Sequence, residues 1–124
     1  DMTADPRMPP LVSAVKLVAA DFTTQMDALP AFVVHADEVA LDYDDAFQPI
    51  APTEGVVPNE VMLILRELDS LFEAMSDDKT LWTKDCMRED ETWAKCRTLA
   101  RKALELWGIE QGPPDLTGTY VKGL

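Results

Sequence analysis

Between Val61 and Met75, apolar side chains recur at three- and four-residue spacing: Val61, Ile64, Leu65, Leu68, Leu71, Phe72 and Met75. A strand alternates every two residues and cannot keep this set on one face. An α-helix of 3.6 residues per turn gathers it into one stripe. Arg66, Glu67, Asp69 and Glu73 fall on the other face, so the spacing predicts an amphipathic helix over 59–76. So wide an apolar face needs other elements to cover it, which makes this the expected central core helix.

Two further segments carry the same period. Leu11, Val15, Val18, Phe22, Met26 and Leu29 predict one helix over 11–29. Pro9 and Pro10 suit its first turn, and Pro30 its end. Trp93, Cys96, Ala100, Ala103, Leu104 and Trp107 predict a helix over 91–107, with Asp90 as N-cap and Gly108 as the residue that ends it. A short helix is expected over 78–87, with Leu81, Trp82 and Met87 inward.

Residues 31–50 carry two patterns. Ala36, Val39, Tyr43, Phe47 and Ile50 form a helical stripe, while Val39, Leu41 and Tyr43 alternate with Ala40, Asp42 and Asp44 as a strand would. The stripe is longer, so helix is expected, with a short strand as the alternative. Residues 48–58, holding Pro49, Pro52, Gly55 and Pro58, read as a connecting loop. The predicted class is all-α: a four- or five-helix bundle in one domain over 1–124, with irregular segments at 1–10 and 109–124.

Charge is the next constraint. The chain carries 23 acids against 11 Lys and Arg, a net charge of −12. Such a field repels nucleic acid and anionic membrane, so neither is an expected partner. No Lys or Arg lies between Lys16 and Arg66, a gap that contains nine acids. Five of them, Asp37, Glu38, Asp42, Asp44 and Asp45, fall within nine residues. This one-sided pattern points to a docking face for a basic protein partner, and these five are the expected partner-binding residues. A merely solvated acidic face is the plain alternative.

Signs of catalysis are sparse. Carboxylates are hard ligands for Mg²⁺ or Ca²⁺, but the acids here lack the glycine and terminal glutamate spacing of an EF-hand loop. His35 is the sole histidine, and no Glu-x-x-His pair of helical di-metal sites is present. No metal or cofactor is expected. Arg97, Arg101 and Lys102 are a candidate anion site, with helix-surface pairing to Glu105 the commoner arrangement. Cys86 and Cys96 lack a local motif for nucleophilic chemistry with His35, and two free thiols suit a reducing cytoplasm. No stretch approaches the ~20 apolar residues of a membrane span.

The run VALDYDD, Val39–Asp45, resembles the strand-then-Asp-x-Asp opening of haloacid-dehalogenase-like phosphatases, which implies a strand ending just before the acids. The chain is short for that doubly wound fold and lacks a series of further strands. In size, acidity and lack of a catalytic motif, it resembles small bacterial immunity proteins that inhibit toxin domains. That resemblance implies an inhibitor whose carboxylates meet Lys and Arg around a partner's active cleft. It rests on no motif, so no functional residue carries over from it. The readings of different class are a small helical metal-dependent enzyme and a helical adaptor or secretion chaperone with an apolar groove.

Overall fold

The computed structural model describes residues 5–112 and Pro114. Six α-helices follow in order: α1 (Met8–Ala19), α2 (Phe22–Ala28), α3 (His35–Phe47), α4 (Asn59–Met75), α5 (Lys84–Glu89) and α6 (Glu91–Trp107). A short 3-10 turn, Lys79–Leu81, stands between α4 and α5. No strand occurs among the described residues, so the all-α expectation holds. Of the segments predicted as irregular, residues 1–4, 113 and 115–124 lie outside the described residues, and α1 already begins at Met8, with Pro9 and Pro10 inside its first turn.

The α-helices number six because one expected helix is divided in two, and a second expected helix is split into the 3-10 turn and α5. The stripe predicted as one helix over 11–29 breaks at Ala20 and Asp21, whose backbones are extended. Asp21 caps α2 by accepting from the Thr24 amide at 2.8 Å. The last four carbonyls of an α-helix have no partner within it. Side chains from α2 and α6 meet this need at the end of α1. Gln25 Nε2 donates to Leu17 O at 3.0 Å and to Val18 O at 3.4 Å. Arg101 Nε donates to Ala19 O at 2.8 Å, and Arg97 Nε to the adjoining Ala20 O at 3.3 Å. Cations at a helix C-terminus also oppose its negative dipole end. The second division falls at 82–83, where Thr83 caps α5 through the Cys86 amide.

The segment 31–50 is helical from His35 to Phe47, and the strand alternative for it fails. Ala36, Val39, Tyr43, Phe47 and the following Ile50 are all buried, as the longer stripe required. The VALDYDD run lies inside α3, so the strand implied by the phosphatase resemblance is absent. The cause is the core: five apolar residues at helical spacing bury more than three at strand spacing. The predicted ends of α6 are also found. Asp90 accepts from the Thr92 amide at 2.7 Å. Gly108 takes φ 75°, while Ile109 N donates to Leu104 O and Gly108 N to Glu105 O, the paired bonds of a Schellman stop.

Packing runs α3 on α1, α1 on α6, and α6 on α4. α3 and α4 thus stand at the two ends of this packing order, and they touch each other only sparsely. What joins them is specific. The Tyr43 hydroxyl donates to Leu65 O at 2.7 Å. The Tyr43 ring stacks on Phe47 at 5.4 Å and leans on Phe72 at 5.8 Å. Phe72 continues edge-on to Trp93, and Trp93 to Trp82. Both indoles are anchored, Trp82 Nε1 to Met75 O and Trp93 Nε1 to Leu81 O. This aromatic row holds α3, α4 and α6 together from beneath and leaves a cleft between α3 and α4 above.

Candidate binding cleft

The cleft has a volume of about 590 Å³. Its α3 wall is made by Asp37, Ala40, Leu41, Tyr43, Asp44 and the adjoining Gln48. Asp69, Phe72, Glu73 and Ser76 come from α4 and its end, and Trp82 from the turn beyond. Helical geometry explains the α3 contribution. Asp37, Leu41, Asp44 and Gln48 are spaced four, three and four residues apart and so form one stripe. On α4, Asp69 and Glu73 are one turn apart and project together.

The lining is apolar in its depth and anionic around it: four carboxylates and no Lys or Arg among the lining residues. Gln48 holds the two sides together, its Nε2 donating to Asp44 Oδ1 and to Asp69 Oδ1, each at 2.9 Å. One amide thus spans two carboxylates. Asp69 is partly buried. Partial burial, then the charges of Asp44 and Glu73, push its carboxyl above the usual carboxylate range, against the pull of the Gln48 bond and of Arg66. Arg66 is engaged elsewhere, donating to Ala51 O at 2.7 Å. Burial raises the Tyr43 phenol, and Asp69 adds to this. The ion pairs of the described residues, Arg7 with Asp5 and Arg88 with Asp85 and Glu89, lie outside the cleft.

The structure divides the five acids singled out from the sequence. Asp37 and Asp44 line the cleft. Glu38, Asp42 and Asp45 lie on a second stripe of α3, turned from the first by roughly 100° at ~100° per residue, and are not among its lining residues. Asp37 and Glu38 also sit in the first turn of α3, where negative charge favours the helix dipole. Asp69, Glu73 and Gln48 were not singled out as site residues. Their partners are more than twenty residues away in sequence, and only the packing of α3 beside α4 joins them. Trp82, expected to point inward from a helix over 78–87, instead lines the cleft from the turn before α5.

Exposed apolar residues occur on α3 and in the segment that leads into it. Leu41 is 51% exposed at the cleft wall. Val34 (61%) and Phe32 (73%) precede the helix. Large apolar side chains with this much exposure, three within ten residues, are what contact surfaces present.

Hydroxyl, imidazole and thiol groups in and around the cleft are held by local contacts or buried. Ser76 Oγ donates to Glu73 O. His35 is buried at the start of α3 and is not a lining residue. Cys96 is buried against Met75 Sδ at 3.7 Å, and burial pushes its thiol up to about 12, away from the reactive thiolate. Cys86 is half-buried, and its thiol donates to Thr80 O. Both cysteines are free. Among the described residues, no group of three or more His, Cys, Asp or Glu is placed to hold a metal ion. No helix of the described residues is long and apolar enough to cross a membrane. Arg97 and Arg101, read as an anion site or as partners of Glu105, instead cap carbonyls at the end of α1, and Arg97 also donates to Met87 O. No family model matches the chain, and no curated protein or solved structure matches it.

Proposed function

We propose that this protein is a binding module for a basic protein surface, with the α3–α4 cleft as its recognition site. The inhibitor reading follows: the module covers the Lys- and Arg-rich face with which its partner, a toxin domain or a nucleic-acid-binding protein, engages substrate. One observation carries it. Four carboxylates from two helices rim an apolar cleft that has no Lys or Arg in its lining. Burial does most to raise the Asp69 carboxyl, and the charges of Asp44 and Glu73 then add a like-charge repulsion across the cleft. A basic partner would relieve it, while the apolar lining and Leu41 would add contact area that a solvated acidic face does not need.

The adaptor reading shares this surface, since Phe32, Val34 and Leu41 also suit an apolar partner segment. The two differ in what the partner does once bound, so identifying it separates them. The test is site-specific photo-cross-linking in the native host. A photoreactive residue at Leu41 should trap one defined partner with an excess of Lys and Arg. The same residue at Leu106, which is exposed on α6, should not. Equal trapping at both positions, or an acidic species trapped at Leu41, would contradict the proposal.

A further inference from the structure

The lining of the cleft narrows what its occupant must carry. Resting on the reading above, we propose that the cleft receives an arginine side chain of the partner, flanked by an apolar residue that settles on Leu41 and Val34. Two features favour arginine over lysine, and a third favours a cation of either kind. First, Asp44 and Asp69 both accept from the single Gln48 amide at 2.9 Å, so their oxygens stand close enough for one flat group to bridge. A guanidinium presents five donors in a planar fork that matches this, whereas an ammonium is a compact point charge. Second, Trp82 and Phe72 line the cleft beside the carboxylates. Guanidinium groups pack on aromatic rings and lose less hydration in doing so than ammonium groups. Third, Glu73 stands one turn from Asp69 on the same wall, so the inserted cation meets anionic groups from both helices.

The apolar flank rests on separate observations. Leu41 is exposed at the wall of the cleft, and Val34 and Phe32, just before the start of α3, are exposed as well. An isolated cation does not require such a surface, but a protein segment does. The occupant is therefore a segment with arginine next to leucine-like residues, rather than a free guanidino compound.

Three probes read this by calorimetry: a peptide of alternating Arg and Leu with neutral spacers, its Lys-for-Arg counterpart, and N-acetyl-arginine amide. The Arg peptide should bind one-to-one, at least about fivefold more tightly than the Lys peptide, while the capped amino acid should bind far more weakly than either. Asp44→Asn with Asp69→Asn should abolish binding of the Arg peptide. Trp82→Phe, checked for folding by circular dichroism, should reduce the Arg preference while changing Lys-peptide affinity little. Equal affinity for the two peptides would overturn the arginine assignment. Binding of the capped amino acid as tight as that of the peptide would overturn the protein-segment assignment. If the cross-linked partner is basic and is held at Leu41 yet the peptides show no Arg preference, this inference fails and the binding-module reading stands. If no basic partner is trapped and no peptide binds, both fail.

Discussion

The cleft exists because α3 is held beside α4 at few points, and the Tyr43 hydroxyl is the most specific of them. Replacing Tyr43 with Phe removes one oxygen and leaves the ring. The lost bond, to Leu65 O at 2.7 Å, is short and buried. Leu65 O lies in the middle of α4 and keeps its place in the helical ladder, so the change does not leave an orphaned acceptor. The cost is therefore the net value of a buried hydrogen bond, about 1 kcal/mol, and not the larger penalty for an unpaired group. The ring contacts with Phe47 and Phe72 persist. In urea, the midpoint should fall with the slope unchanged, and Tm should drop by roughly 3–5 °C. Tyr43→Ala, which also empties a buried ring site, should cost about 3–5 kcal/mol. A Phe variant within about 0.3 kcal/mol of the parent would show that this hydroxyl does not join α3 to α4.

Other substitutions test other links. Leu68→Ala, at a fully buried position of α4, should cost about 2–5 kcal/mol by denaturant titration; a loss below about half a kcal/mol would show that this face is not core. Gly108→Ala should cost about 1 kcal/mol in the same assay, because φ is 75° and an added Cβ meets nothing within 4 Å, so the penalty is backbone strain alone. No loss there would contradict the left-handed stop of α6. Asp69 binds its proton more readily folded than unfolded, so its contribution to stability is fully present below the ordinary carboxylate range and is lost as pH rises through its folded pKa. Asp69→Asn should thus stabilise at neutral pH by a few tenths of a kcal/mol, discounted for partial exposure, with the gain vanishing near pH 3. Destabilisation at neutral pH would contradict the crowded-carboxylate picture.

Much of the fold was legible in the sequence where a stripe was long and unbroken. The 3.6-residue period selected most of the buried residues of α3, α4 and α6, although Ile64, Leu71 and Trp107 are only half-buried and the buried His35 lies outside the stripe; Asp90 and Gly108 bound α6 as their chemistry required. The break at Ala20 was hidden because the apolar spacing runs through it, from Val18 to Phe22 to Met26. Asp21, three residues before Thr24, was the local sign of a new N-cap, but besides Gln25 the contacts that satisfy the broken end come from Arg97 and Arg101, some eighty residues away. The cleft was half legible for the same reason. Acid density drew attention to α3, yet density alone could not divide Asp37 and Asp44 from Glu38, Asp42 and Asp45. That division depends on which side of α3 meets α4, and it also brings in Asp69, Glu73 and Gln48.

Asp44 and Asp45 allow the central claim to be tested at constant net charge. They are adjacent and both exposed, but only Asp44 lines the cleft. Asp44→Lys and Asp45→Lys change the total charge equally, so long-range steering by the whole field is nearly the same in both. The decisive measurement is the association and dissociation of the cross-linked partner with each variant at two salt concentrations. Asp44→Lys should weaken binding at least tenfold, with a faster off-rate as well as a slower on-rate, since a contact inside the cleft becomes a repulsion. Asp45→Lys should produce only a small, salt-sensitive fall in on-rate. Equal losses from the two variants would reduce recognition to net charge, and a larger loss from Asp45→Lys would place it on the other stripe of α3.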